Sequence, residues 1–282
     1  MNKSRTPGIL KEKDKKCRTI RIRALSGFLN AEEMDTISIA AKKYGSGIVC
    51  FTSRLNVEIP YVPFDRVKDA VSDLEDAGLV IGGTGSSVRA VFACKGVFCP
   101  HGNLDTRAVA LLIEENFGGR RLPVKFKAAI SGCPNNCGRA QLNDLGLIGF
   151  NTPETITDQT CDCCNLCIST CKENAISYDE SQLKISIDYS LCVSCGDCIR
   201  ACKKGNIISK ESGVRAYIGG RAGREIKEGV RYEKDLSPDE IIGFTGKILD
   251  YMDSECREHE RLCTQLEKNG FEKLYEYLEN KQ

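Results

Sequence analysis

Apolar positions along the chain change period several times, and each change marks an element. Ile20-Arg21-Ile22-Arg23-Ala24-Leu25 alternates apolar and polar side chains and predicts a strand. Asn30, with Glu33 three residues on, opens a helix whose apolar face is Met34, Ile37, Ala41 and Tyr44, and Gly45 ends it. Ile48 to Thr52 is rich in β-formers, and Val57 to Ile59 returns as a strand. Phe64 to Ala77 is amphipathic through Val67, Val71 and Leu74, and Leu79 to Ile81 closes a β-α-β-β-α-β unit of ferredoxin-like type. Past Gly82 a glycine-rich loop does not satisfy G-x-G-x-x-G and no helix follows it, so it carries no NAD site. Val88 to Ala93 reads as a strand, and Asp105 caps a helix over Thr106 to Phe117 with Val109, Leu112 and Ile113 inward. Lys125 and Lys127, two apart on a predicted strand, share one face while Phe126 takes the other. Leu145 to Phe150 and Val214 to Ile218 are further strands. Ser237-Pro238-Asp239-Glu240 is a capping box that opens a long helix to about Lys268, and a last helix follows. The fold class is α+β.

Composition narrows the setting. Lys plus Arg number 40 against 39 Asp plus Glu, a net charge of +1, which gives no reason to expect nucleic acid or an acidic membrane surface as a partner. No apolar run is long enough to span a bilayer, and the N-terminus, charged and without a period through residue 17, lacks a hydrophobic signal segment. That stretch is expected to be a mobile arm or a strap, and the protein is expected in the cytoplasm.

The 17 cysteines cluster at short spacings in a chain with no export signal, so they read as metal ligands rather than disulfides. Cys161, Cys164, Cys167 and Cys171 fit C-x2-C-x2-C-x3-C, and Cys192, Cys195, Cys198 and Cys202 repeat it 31 residues later. A zinc knuckle can mimic one short spacing, but a doubled run of four points to clusters. The pair resembles a bacterial two-cluster ferredoxin, in which the fourth cysteine of each run crosses over. That resemblance implies one [4Fe-4S] cube on Cys161, Cys164, Cys167 and Cys202, and another on Cys192, Cys195, Cys198 and Cys171. Lys172 and Lys203 follow the terminal cysteines where proline is usual, and cationic charge there favours the reduced cube. Cys17, Cys50, Cys163, Cys256 and Cys263 are left as small buried or incidental thiols.

Upstream, Ser131-Gly132-Cys133-Pro134-Asn135-Asn136-Cys137-Gly138-Arg139 places two thiolates in a Pro/Gly-rich turn, and Cys94 and Cys99 supply two more for a third cube. With Leu122-Pro123-Val124-Lys125-Phe126-Lys127 before it, this run resembles the sirohaem and iron–sulfur signature of sulfite and nitrite reductases. The resemblance implies that Cys137 ligates the cube and bridges to sirohaem iron, with Asn135 and Arg139 beside the cofactor. The spacing from Cys94 to Cys99 is one residue shorter than the family's usual one. Thr52-Ser53-Arg54 matches a motif whose arginine meets sirohaem carboxylates, and Arg221 and Arg224, in a second glycine-rich loop, are further carboxylate contacts. Arg23, Arg89, Lys125 and Lys127 match the cationic cage over the iron, where a bound oxyanion needs positive charge and its S–O bonds need protons.

The domains expected are a ferredoxin-like half-domain at 18–81, a sirohaem/[4Fe-4S] domain at 82–155 and 212–282, and a two-cluster ferredoxin inserted at 156–211. The implied function is the six-electron reduction of sulfite to sulfide at sirohaem, with three [4Fe-4S] clusters and electrons entering through the insertion. Without a flavin or nicotinamide fingerprint, a separate electron-donor protein is required, and an oligomer is expected. Nitrite reduction needs the same cage and the same six electrons. A non-catalytic electron carrier or redox sensor would keep the clusters without needing the cage.

Overall fold

The computed structural model describes residues 6–156, 161–179, 181 and 184–280. Residues 1–5 of the N-terminal arm and 157–160 at the start of the insertion lie outside them. The first unit runs β1 (Ile9–Lys11), β2 (Cys17–Arg23), α1 (Ala31–Tyr44), β3 (Cys50–Phe51), β4 (Val57–Pro63), α2 (Val67–Asp76) and β5 (Val80–Ile81). All its pairings are antiparallel, and the order β5-β2-β4-β3 is that of the expected ferredoxin-like unit. Part of the charged arm is not an arm, because Ile9 pairs with Ile20 and Lys11 with Arg18 to extend the same edge. Asn30 accepts from the N–H of Glu33, whose carboxylate takes the Asn30 N–H in return. The helices bury Ile37, Ala41, Tyr44, Ala70 and Leu74 against Ile20, Ile22, Val57 and Ile59, while Met34 lies at the edge, 40% exposed.

The second sheet has the order β12-β11-β8-β7-β6, built from β6 (Phe92–Ala93), β7 (Ala128–Ser131), β8 (Leu145–Thr155), β11 (Ile207–Ile218) and β12 (Val230–Arg231). Between β6 and β7 stands α3 (Thr106–Phe117), capped by Asp105 as expected. Leu112, expected inward, is 45% exposed on the far side of α3, because Ala110 and Ile113 take the sheet side. Only Phe92 and Ala93 of the expected 88–93 strand are paired in a ladder, and Val88 makes a single bridge to Phe126.

β8 and β11 are antiparallel from Leu145↔Ile218 out to Thr155↔Ile207, with one bulge between Ser209 and Glu211. Between them come α4 (Leu166–Thr170), β9 (Ile176–Asp179), β10 (Lys184–Ile187) and α5 (Asp197–Ala201). The ladder thus reaches beyond the expected strand at 214–218 and into the inserted segment. The expected long C-terminal helix is two helices, α6 (Ile241–Glu255) and α7 (Leu262–Asn269), followed by α8 (Glu272–Asn280). These pack with α3 on one face of the sheet through Ile248, Leu249, Met252, Leu262 and Leu274. Continuing the helix would bring His259 and Glu260 into the apolar stripe. The chain instead turns at Cys256, and His259 takes a left-handed φ of 66°.

Candidate functional site

Two polar side chains close the Ser131–Arg139 turn. Ser131 Oγ accepts from the Gly138 N–H at 3.1 Å, and Asn136 Oδ1 accepts from Ala140 N–H at 2.8 Å and from Ser131 Oγ at 3.1 Å. Asn136 and Arg139 sit at φ of 48° and 47°, a conformation in which Asn is at ease and Arg is held by the turn. A single 3-10 turn, Ala140–Leu142, follows it. The turn lies tight on β8: a Cβ on Gly149 would stand 2.8 Å from Gly132 O, and one on Gly146 would stand 2.3 Å from Ala140 O. Glycine at both positions is therefore a condition of the turn's placement.

Elsewhere the structure gathers cations. Phe126 is fully buried and turns Lys125 and Lys127 to the opposite side, as the alternation predicted. Arg89, Lys125, Arg221 and Arg261 line one cavity of about 390 Å³ together with His259, and no Asp or Glu lines it. A second cavity of about 450 Å³ shares Arg221, His259 and Arg261 and adds Arg257 and Lys268 together with Glu258 and Glu260. Burial, and then the charges of Arg54, Arg261 and Lys125, push Lys127 down to about 8. Burial and the neighbouring Arg261 and Arg89 lower Lys125 as well. Arg89 is lowered to about 10 by burial and then by Arg21, Arg261 and Arg23. Burial is the first cause of each of these depressions, and the crowding of cations adds to it. Among the described residues the buried Nε atoms of Arg89 and Arg261 have no hydrogen-bond partner, donors that suit an acceptor-rich anion. A polycarboxylate tetrapyrrole and a small oxyanion both meet that requirement.

The other expected contacts are placed differently. Arg23 is 7% exposed and its guanidinium is committed to Glu114 of α3, whose second oxygen takes the Val91 N–H at 2.6 Å. A guanidinium in that apolar seam needs a buried partner, and Glu114 provides it. Arg54 donates to the carbonyls of Ala90 and Ala128 and to Asn143 Oδ1, fastening the half-domain to the sheet. It lies near Lys127, and burial lowers it to about 10. Arg221 pairs with Glu225 at 3.2 Å on the cavity rim, whereas Arg139 and Arg224 are exposed. Asn135 is exposed and donates to Cys133 Sγ at 3.5 Å.

Arg261, His259, Arg257 and Asp144 carry no motif. Asp144 is fully buried, takes Arg261 Nη2 on both oxygens at 2.7 and 2.8 Å, and accepts the Lys127 N–H at 2.9 Å. The one signal for these residues was the interruption of the apolar stripe after Cys256.

The cysteines fall into sets. Cys133 faces Cys94 and Cys99, and Cys137 closes the turn in an exposed position. Cys202 crosses to Cys161 and Cys167, and these three with Cys164 line a cavity of about 300 Å³. Cys171 crosses to Cys192, Cys195 and Cys198, and those four line a cavity of about 140 Å³. Pro134 and Asn135 line that smaller cavity too, so the Cys171 set is the inner one and the Cys161 set the outer. Burial, and then Cys195, Cys192 and Cys171, push the Cys198 thiol up to about 12. Such a set becomes four thiolates only around cationic metal. Zinc at about 2.3 Å from each thiolate draws the sulfurs close together. Among the described residues no three Cys, His, Asp or Glu side chains close on one ion, and the thiols instead rim open cavities. Backbone N–H groups of Gly132, Ala175 and Ser194 point at Cys94, Cys171 and Cys192 sulfur at 3.2, 3.4 and 3.4 Å, the contacts that stabilise a reduced cluster. Cys163 reaches the outer cavity's rim and lies 2.8 Å from the Tyr178 hydroxyl. Among the described residues no helix is long and apolar enough to cross a membrane.

Fold and site define an iron–sulfur oxidoreductase framework joined to a ferredoxin-like half-domain. Residues 84–282 match the family described as nitrite and sulphite reductase 4Fe-4S domain, and residues 10–77 match the nitrite/sulfite reductase ferredoxin-like half domain. The chain belongs to the nitrite and sulfite reductase family. It is 40% identical over 261 residues to a coenzyme F420-dependent sulfite reductase of Methanocaldococcus jannaschii, a match covering 91% of this chain and 41% of that protein. It is 23% identical to the beta subunit of a dissimilatory-type sulfite reductase of Archaeoglobus fulgidus, over 84% of this chain and 71% of that one. The fold matches a solved dissimilatory sulfite reductase with a TM-score of 0.78 at 19% identity, covering 99% of this chain and 77% of the other.

Proposed function

We propose that this chain carries out the six-electron reduction of sulfite, SO3²⁻ + 6 e⁻ + 6 H⁺ → S²⁻ + 3 H2O, at sirohaem beside a [4Fe-4S] cluster. The observation that carries the reading is the cavity lined by Arg89, Lys125, Arg221 and Arg261, with no Asp or Glu among its described lining residues. Sirohaem, when bound, supplies the iron that takes the sulfur atom and passes electrons to it. Cys94, Cys99, Cys133 and Cys137 would hold the cube, and Cys137 would face the haem iron. Arg89, Lys125 and Lys127 bind and orient the oxyanion, and Lys127, near 8, holds a proton it can give up close to neutral pH. Arg221 and Arg261 meet carboxylates at the rim.

The outer and inner thiol sets of the insertion would hold two further cubes through which electrons enter. A separate one-electron donor protein supplies them, and Lys203 and Lys204, exposed beside the outer set, offer it a cationic docking edge. The relative matched at 40% is named for sulfite, which favours sulfite over nitrite. Protein purified without oxygen should show sirohaem bands and the iron of three cubes. Steady-state rates on sulfite and nitrite side by side then test the substrate, and faster turnover of nitrite would reverse the assignment. A preparation that cannot be loaded with sirohaem, yet holds its clusters, would leave an electron carrier.

A further inference from the structure

The inserted lobe meets the rest of the chain along a polar seam. Asn103 stands on the segment leaving Cys99, and its N–H donates to Gly132 O at 2.7 Å. Gly132 immediately precedes Cys133, and its own N–H donates to Cys94 Sγ at 3.2 Å. In the other direction Asn103 Nδ2 donates to Cys195 O at 3.1 Å. Arg200 of α5 donates to Asn103 Oδ1 at 2.8 Å and to Cys195 O at 2.9 Å. Asp197 fixes Arg200 at 2.6 Å and takes His101 Nδ1 at 2.9 Å. A guanidinium only donates, so Oδ1 of Asn103 must face Arg200 and the amide N–H must face Cys195. Gly196 keeps the seam narrow, since a Cβ there would stand 3.1 Å from both Asn103 Oδ1 and Asn151 Cβ, at a φ of 73°. Thr152 and Arg215 add bonds to Ser194 Oγ at 3.1 and 3.0 Å.

We propose that Asn103, oriented by Arg200, is the positioning residue for electron delivery, joining the Cys195 end of the inner thiol set to the loop that carries Cys94 and Cys133. This rests on the proposed entry of electrons through the insertion and adds where they leave it. What crosses the seam is one electron at a time, supplied by the reduced donor protein. No proton moves there and no bond between heavy atoms is made or broken. One short side chain with two fixed hydrogen bonds holds the two thiol-bearing segments at a constant separation. A longer or unanchored side chain does not.

Two variants of the holoprotein test it. Asn103→Asp keeps the size and the bond from Arg200 but cannot donate to Cys195 O. Arg200→Met keeps Asn103 and releases its amide. The readouts are the magnetic coupling between the inner cluster and the catalytic cube, seen in the electron paramagnetic resonance of half-reduced protein, and the rate of sirohaem reduction after a light-driven donor has reduced the ferredoxin clusters. In both variants iron and sirohaem contents stay unchanged while coupling weakens. Haem reduction slows in step with the loss of coupling. Unaltered coupling and rate in both variants would remove Asn103 from the path and leave electron entry through the insertion standing. If the unmodified protein passes no electrons from the ferredoxin clusters to the haem, the entry reading itself falls. Should Asn103→Asp not fold, Arg200→Met decides alone.

Discussion

Arg261→Met tests the buried charge network under the cage. Arg261 is 10% exposed and Asp144 fully buried, and the variant strips from Asp144 the two guanidinium bonds at 2.7 and 2.8 Å. The Lys127 N–H at 2.9 Å remains, too little for a carboxylate out of water. Breaking a buried pair from one side costs about 3–5 kcal/mol, whereas replacing both partners by apolar groups is often close to neutral. Against a total stability of about 5–15 kcal/mol, the single variant loses roughly a fifth or more. At about 2–4 °C per kcal/mol its melting temperature drops by roughly 10 °C, and Asp144→Leu added to it restores a large part. Paired urea and thermal melts of the two variants measure this.

The same substitution reads on Lys127, where Arg261 follows only burial and Arg54 as a cause of the depression to about 8. Removing that cation raises Lys127, so the alkaline limb of kcat/KM, where the protonated lysine is lost, moves to higher pH. The sign for stability agrees. A lysine depressed in the folded state opposes folding at pH below about 8, and that penalty fades as pH rises from 8 toward 10.5. The variant shows less of this gain. A loss under about 1 kcal/mol with an unmoved alkaline limb would refute the account, since it would give Asp144 and Arg261 the worth of a surface pair.

Cys137→Ala should abolish the sirohaem absorption bands while sparing most of the ferredoxin iron, and a normal haem spectrum in the purified variant would overturn its assignment. Lys127→Met should lower turnover by about two to four orders of magnitude with sirohaem content nearly unchanged; near-normal rates on sulfite and nitrite would exclude it from the chemistry. Residues 156–206 lie between the paired ends Thr155 and Ile207, so a short Gly/Ser turn should replace them. That variant should lose two cubes' worth of iron, keep the haem spectrum, accept electrons from a small reducing dye and fail with the protein donor. Full turnover with that donor would place electron entry elsewhere.

Much of this architecture was legible because the chemistry demands local patterns. A thiol set requires short cysteine spacings, and two cations on one strand face require an interval of two, so both stand out in the residues. The half-domain was legible because Asn30 and Glu33 cap each other and because Ile20 and Ile22 alternate with arginines. What escaped depends on contacts far apart in the chain. Arg261 meets Asp144 across 117 positions, Arg23 meets Glu114 across 91, and Asn103 meets Cys195 across 92. The helix break at Cys256 has no glycine or proline to mark it. It follows from the polar character of positions 257 to 261, which had the wrong chemistry for the core and the right chemistry for the cavity.

The ladder of β8 and β11 has a mechanical meaning. Eleven- and twelve-residue strands run, with a single bulge, from the helix-backed core out to the lobe, so the insertion is borne on a beam rather than hung from a tether. A tethered carrier must swing into place before each electron, and six swings per turnover would tie the rate to solvent viscosity. On the proposed route, a lobe fixed on a two-stranded girder has no such search to make, which would leave the pace to the donor's arrival and to the chemistry of the site.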